Sequence, residues 1–348
     1  MTAKFIENGI TFSDVLLVPK YSNIKSRSEI KTDVSIRGFT FNHPMVPANM
    51  KTITGIELIK ANYESKGLSL LHRFDSVEDQ IKIIQELKEL YGEDIFNFVG
   101  VSVGVQSNDK VLVTKFLELG IKIFCIDVAH GHSKLCESMV SFIDDKRTKL
   151  DKSLIIAGNV ATYDGAVCLY SAGADVVKVN IGAGSTCTTR IETGAGVPQL
   201  TALMDVFEAK RFIKASTGQQ TYIIADGGVT SAGDVVKSLC FGDLVMSGNL
   251  FAGCDETPGS FITIDGIRYK EYVGSSTHKT SRVEGVSALV NPKGSYKSIL
   301  QKLIDGIQSG CSYQGVNNLN WLKENPEFIK ISNASWHESK PHDLKVIR

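Results

Sequence analysis

Short apolar runs recur along the chain, and most of them end in small or polar residues. They are Pro44–Met50 (PMVPANM), Leu68–His72 (LSLLH), Phe98–Val105 (FVGVSVGV), Ile123–His130 (IFCIDVAH), Leu154–Val160 (LIIAGNV), Val176–Gly182 (VVKVNIG), Tyr222–Val229 (YIIADGGV) and Leu244–Leu250 (LVMSGNL). Helix-like stretches separate several of them: Ser76–Tyr91, Asp109–Leu119, Ser133–Asp145 and Tyr163–Ala172, the last closed by Gly173 as a C-cap. Continuous apolar runs alternating with helices predict buried parallel strands in βα units. Eight units over about 210 residues fit a closed (β/α)8 TIM barrel better than an open sheet, although six or seven genuine strands would also fit a doubly wound fold.

In a barrel the C-terminal ends of the strands carry the chemistry. Those ends hold Asn49, His72, Asp127, His130, Asn159, Gly182–Thr189, Asp226–Gly228 and Gly248–Asn249. No domain-sized insertion follows Leu68–His72, so residues 1–348 read as a single α/β barrel domain without an inserted regulatory module. The residues after Trp321 are polar and aperiodic, and a tail over about 322–348 is expected to pack on the outside or be partly disordered.

The 348 residues carry 38 Lys and Arg against 38 Asp and Glu, a formal net charge of zero. This balance argues against binding nucleic acid through bulk electrostatics, so an anionic ligand must be gripped by local devices such as backbone amides. Hydrophobic content of 43% is near the globular average and supports one large core. No apolar run reaches the roughly 18–20 residues of a membrane span, and Met1–Ile10 lacks a signal-peptide pattern; the expectation is a soluble, cytoplasmic protein with no membrane partner. The seven cysteines are odd in number, widely spread and free of any C-x-x-C, which supports neither a zinc ribbon nor a disulfide framework. His130 and His132, as alternate residues at a strand end, are expected to point to opposite faces, and no third ligand lies at a suitable spacing.

The segment Asn180–Leu200 (NIGAGSTCTTRIETGAGVPQL) follows a strand, contains four glycines and sets Cys187 among small hydroxylated residues. Glycines there let the backbone approach a ligand. A cysteine on such a loop is a nucleophile if a base is near or its proton is easily lost; otherwise it simply packs beneath the loop. The string Gly-Ser-Thr-Cys-Thr-Thr-Arg resembles the catalytic loop of the IMP dehydrogenase/GMP reductase family. The similarity continues through KSRSE (Lys25–Glu29), VPANMKTI (Val46–Ile53), LHRF (Leu71–Phe74), SVGV (Ser102–Val105), IDVAHGHS (Ile126–Ser133), IIAGNV (Ile155–Val160), IIADGGV (Ile223–Val229), LFAG (Leu250–Gly253), YKEYVGS (Tyr269–Ser275) and VEG (Val283–Gly285). Within the family the chain is most similar to the bacterial GMP reductases of Gram-positive species.

The resemblance implies that Cys187 attacks C2 of a purine nucleotide to form a thioimidate, with Glu284 as acid–base group and Thr189 assisting. It implies phosphate binding by Gly227, Gly228, Gly248 and Asn249 with Ser185, which suits the barrel rule that the loops after strands 7 and 8 hold phosphate. Asp226 would take the ribose hydroxyls, its ordinary alternative being a helix N-cap. Tyr272, Gly274 and Ser275 also fall on the substrate side. Asp127, Ala129 and Asn159 match the nicotinamide side, making NADPH the implied cofactor. Gly182, Gly184 and Cys187 match positions whose carbonyls hold a monovalent cation, K+, in relatives, and a homotetramer is implied.

In the reductase direction GMP becomes IMP and ammonia. The alternatives are an IMP dehydrogenase using NAD and a non-catalytic purine-nucleotide-binding barrel. Dehydrogenases of the family activate water with an Arg-Tyr pair on a flap. Here the flap, about 272–295, is short and has Arg282 with no Tyr after it, which favours the reductase. The chain departs from the family where Asn180 and Ala183 replace the commoner Gly and Pro, and where Asn249 replaces a phosphate-binding Ser, whose pocket its larger side chain is expected to crowd.

Overall fold

Runs rich in Val, Ile and Leu form strands buried on both faces, and in the computed structural model, which describes residues 9–147, 152–274 and 285–341, all eight apolar runs do so. The strands are β1 (Met45–Pro47), β2 (Ser69–Leu71), β3 (Val99–Val103), β4 (Ile123–Asp127), β5 (Leu154–Val160), β6 (Val176–Val179), β7 (Tyr222–Asp226) and β8 (Leu244–Ser247). They pair in parallel in the order β1-β8-β7-β6-β5-β4-β3-β2, and the two end strands lie beside each other, giving the (β/α)8 barrel. Helices α1 (Ile56–Glu64), α2 (Val77–Tyr91), α3 (Ser107–Glu118), α4 (Lys134–Lys146), α5 (Tyr163–Ser171), α6 (Gln199–Thr217), α7 (Ala232–Leu239) and α8 (Tyr296–Tyr313) surround it.

Local chemistry sets the helix ends. Ser76, Ser133, Thr162, Ser231 and Ser295 each accept a backbone N–H from the first turn of α2, α4, α5, α7 and α8, and each such cap is worth about 1 kcal/mol. Gly173 follows the C-cap of α5 at φ +112°, a left-handed position that suits glycine.

Strand periodicity divides the core into two shells. Outward residues such as Val101, Phe124, Ile126 and Val177 pack under the helices. Inward residues such as Val46, Leu70, Cys125, Ile156, Ile224 and Met246 fill the barrel. The hairpin Val34–Ile36/Phe39–Phe41 packs Ile36, Phe39 and Phe41 into the same inner cluster, plugging the N-terminal mouth. Its two-residue turn, Arg37–Gly38, has positive φ at both positions, the twist that hairpins favour.

Residues 322–341 pack on the outside of the barrel, as expected, and carry regular elements that their composition does not suggest. Phe328–Lys330 pairs antiparallel with Val15–Leu17, Phe328 stacks on Phe241, and a short helix spans Asn333–Glu338. Lys323 bonds Asp243 at 2.7 Å, so this segment is also held by an ion pair at the base of β8.

His43, just before β1, is 1% exposed. Burial, partly offset by the Met45 backbone and the Asn62 side chain, pulls its pKa from 6.5 down to about 4. Below pH 6.5 the unfolded chain binds a proton at this residue that the native state refuses until about pH 4. Stability therefore falls as pH drops through that window, by about 3 kcal/mol in total. Urea unfolding at several pH values is expected to show this slope, and His43→Gln to remove that share of it.

Candidate active site

The inward residues nearest the C-terminal ends of the strands form a polar layer above the apolar filling. Asp127 ends β4, Asn159 lies near the end of β5, Lys178 is the third residue of β6 and Asp226 ends β7. The Lys178 ammonium bonds Asp127 Oδ1 and Asp226 Oδ2, each at 2.9 Å, and Asn159 Nδ2 donates to Asp226 Oδ2 at 2.9 Å. Burial alone would strip the charge from Lys178, but the two carboxylates outweigh it and raise its pKa. Burial likewise works against ionised Asp127, and Lys178 and Arg73 more than offset it, so Asp127 stays below the usual carboxylate range. Asp226 is thus committed to Lys178 and Asn159 and does not cap a helix; the cap of α7 is Ser231.

Above this layer opens a cavity of about 440 Å³. Of the residues expected at the site, Asp127, Ala129, Asn159, Gly184, Ser185, Cys187, Asp226, Gly227, Gly228, Gly248, Asn249, Tyr272 and Gly274 line it. Ser275 and Glu284 lie outside the described residues, as does Arg282. Asn49, expected at a strand end, and Asn180, at the head of the cysteine segment, line it too, as do Met50, Arg73, Phe74 and Lys178, to which the sequence alone assigned no role. For Lys178 a signal was available: a lysine inside the apolar run VVKVNIG must find a partner if the run is buried.

The loop after β6 presents Cys187. The Asn180 side chain accepts the Ala183 N–H at 2.8 Å, closing the first turn. Gly182 sits at φ +81°, where a Cβ would strike the Arg190 side chain, and Arg190 in turn bonds the carbonyls of Ile181 and Val197, tying both arms of the loop together. The Cys187 thiol donates to Thr189 Oγ1 at 3.1 Å, and the Cys187 N–H bonds the Gly184 carbonyl at 3.1 Å. Cys187 and Thr189, two residues apart, are therefore in direct contact.

A three-stranded sheet made of Ile262–Ile264, Ile267–Val273 and Ser287–Val290 stands beside this loop. Val286 N–H bonds Thr186 O, Gly274 N–H bonds Val286 O, and Gly285 forms an antiparallel bridge with Cys187. The cysteine loop is thus stitched to the base of the flap. Lys270, on the middle strand, is buried and donates to the carbonyls of Cys254, Asp255 and Thr257, anchoring that strand to the segment after β8.

Gly227 turns at φ +82°, and its N–H is taken by Met246 O at 2.9 Å, so this amide belongs to the turn and not to a ligand. Tyr272 Oη lies 3.3 Å from Ser185 Oγ and packs over Gly248, where a Cβ would come within 2.5 Å of the Tyr272 hydroxyl and 3.0 Å of Met50 Sδ. Gly248→Ala is accordingly expected to push Tyr272 off Ser185 and to cost about 1–3 kcal/mol through overpacking; urea unfolding of the variant checks this.

His130 and His132 lie in the loop beyond β4, exposed, with rings meeting edge to face 6.4 Å apart. The expectation of opposite faces fails on two counts: residues two apart in a strand share a face, and the strand ends at Asp127, before either histidine.

Residues 9–342 match the model of the IMP dehydrogenase / GMP reductase domain. The chain is 36% identical to the GMP reductase of Bacillus subtilis, over 96% of this chain and 100% of that protein. It is 33% identical to the inosine-5'-monophosphate dehydrogenase of Borreliella burgdorferi, over 99% of each chain. A crystal structure of a GMP reductase from Trypanosoma brucei in complex with guanosine 5'-monophosphate superposes with a TM-score of 0.88 at 25% identity, covering 98% of this chain and 99% of that one. With the barrel and the cysteine loop already built from its own residues, the chain belongs to the IMP dehydrogenase/GMP reductase family of oxidoreductases.

Proposed function

We propose that the chain catalyses the NADPH-dependent reductive deamination of GMP to IMP and ammonia through a thioimidate on Cys187. The observation that carries this reading is the meeting of Cys187, in contact with Thr189, with the Asp127–Lys178–Asp226–Asn159 layer in one cavity. Asp226 binds the ribose hydroxyls. Ser185, Gly228, Gly248, Asn249 and Tyr272 surround the phosphate, with Gly227 as the turn that sets Gly228 in place; Gly274 and Ser275 complete the substrate side. Cys187 adds as the thiolate to C2 of the purine, forming the C2–S bond as the C2=N3 π pair moves to N3, which takes a proton. The 2-amino nitrogen takes a proton and leaves as ammonia while N3 gives up its proton and the C2=N3 bond re-forms, leaving the thioimidate. Hydride arriving at C2 then breaks the C2–S bond and returns the thiolate.

Glu284 is the acid in this reading, assisted by Thr189. Its support is positional: its chain neighbour Gly285 is bridged to Cys187. On the cofactor side, the buried Asn159 Oδ1 has no hydrogen-bond partner among the described residues, and Asp127 and Ala129 line the same wall. An orphaned acceptor beside a carboxylate suits a carboxamide donor such as that of a nicotinamide. When bound, NADPH supplies the hydride. The carbonyls of Gly182, Gly184 and Cys187 are the candidate K+ ligands, although the Gly184 carbonyl already accepts the Cys187 N–H and would have to share. The exposed Ile262, Ile264, Ile267 and Leu289 of the flap sheet favour association between copies, in keeping with a homotetramer.

Oxidation of IMP with NAD is the second reading, favoured by the end-to-end match to the Borreliella dehydrogenase. Absorbance at about 340 nm separates the two, because only the reduced nicotinamide absorbs there. Loss of signal with GMP and NADPH supports the reductase, and gain with IMP and NAD overturns it.

A further inference from the structure

Lys178 is 2% exposed and sits where three strand ends converge, and its stem passes so close to β5 that a Cβ on Gly158 would lie 2.6 Å from its own Cβ. Such a site fits a side chain that must hold one position. Its ammonium is shared between a carboxylate from β4 and one from β7, 2.9 Å from each, which keeps the two carboxylate oxygens within about 6 Å of one another.

We propose that Lys178 is a positioning residue: it holds Asp127 and Asp226 together as two ionised carboxylates and so fixes the charge of the nucleotide site. The inference rests on the reading of the cavity as a GMP site. One cation between two anions gives the cluster a net charge of minus one. A purine nucleotide brings a phosphate dianion to the same cavity, so one further negative charge would oppose it. The cluster also spans the two sides of the site, since Asp127 belongs to the cofactor wall and Asp226 to the ribose.

Other groups face the cluster without titrating in the same range. Arg73 donates to the Asp127 carbonyl from the segment after β2 and remains a cation. Cys125, below on β4, is pushed up to about 12 by burial. Tyr272, from the flap sheet, is raised by burial and stays neutral. Asn159 carries no charge.

Without Lys178 the two carboxylates would share a proton at low pH, restoring the native charge, and would both ionise at high pH. GMP binding to wild type, Lys178→Met and Lys178→Met/Asp127→Asn, measured by calorimetry at about pH 5.5 and about pH 8.5, tests this. The nucleotide phosphate titrates alike in all three, so the ratio of variant to wild-type Kd isolates the protein. For Lys178→Met that ratio is expected to rise about tenfold or more between the two pH values. For the double variant, with a single carboxylate and the native net charge, it is expected to stay level. A level ratio in folded Lys178→Met, or an equal rise in the double variant, overturns the inference. Should Lys178→Met fail to fold, the double variant decides alone: GMP binding with a level ratio supports the inference, and failure to fold or bind overturns it. Wild-type protein that binds neither GMP nor IMP overturns the functional reading and this inference with it, whereas wild type that binds while the Lys178→Met ratio stays level overturns this inference only.

Discussion

Cys187→Ala is expected to lower turnover by roughly 10^4-fold or more while leaving GMP affinity close to that of the wild type. The reasoning starts from the loop. Its shape is set by the Asn180 turn, the Arg190 strap and the hydrogen bonds to the flap base, none of which uses the Cys187 thiol. Removing Sγ therefore deletes the proposed nucleophile and its contact with Thr189, but keeps the cavity wall. A nucleotide-binding site that survives with its chemistry gone is the signature of a lost nucleophile. Steady-state turnover paired with GMP titration measures both quantities, and mass spectrometry of denatured wild type after GMP addition should find a nucleotide adduct on Cys187. Appreciable residual turnover in the variant would remove the covalent route.

The second large effect concerns the opposite mouth of the barrel. Asp243 begins the β8 segment and accepts from Lys210, Lys323 and the backbone N–H of Ile223 at 2.7–2.8 Å. Burial would raise its pKa, but Lys210 and Lys323 outweigh this and hold it at about 2. Asp243→Ala leaves two poorly hydrated ammonium groups without their carboxylate, together with an unpaired strand N–H, and is expected to cost about 3–5 kcal/mol. The pH dependence has a definite sign. A depressed carboxyl contributes its full stability above about pH 4, where the unfolded chain is also ionised, and loses it as pH falls towards 2, by about 2 kcal/mol. Urea midpoints for wild type and Asp243→Ala at neutral pH and near pH 2.5 check both statements; a cost below about 1 kcal/mol at neutral pH would mean that the lysines relax into solvent.

What was legible in the sequence follows from range. Each barrel strand is a local apolar run, so all eight could be placed before any pairing was known, and their polar ends gave Asp127, Asn159 and Asp226. Lys178 announces in the sequence only that it needs a partner; which partner depends on register. Only when β4, β6 and β7 align does a lysine within VVKV face two carboxylates 51 and 48 residues away. Phe328–Lys330 is three residues long and finds its partner at the other end of the chain, which no local period reveals. The flap strand Ile267–Val273 places Lys270 at a buried position, breaking the alternation that marks a strand, because three carbonyls solvate its charge. The phosphate side was read as a row of amide donors, yet the Gly227 amide serves the turn, a distinction that depends on backbone direction.

The hydrogen bond from Ala183 to the Asn180 side chain ties together the two loop positions at which the resemblance leads one to expect Gly and Pro. A proline at 183 would have no N–H to give, and a glycine at 180 would have no oxygen to receive one. Asn180 and Ala183 are therefore halves of a single device, a turn held by a side chain. Reverting either position alone strands its partner, so the two single reversions should each harm the cysteine loop more than the paired reversion does.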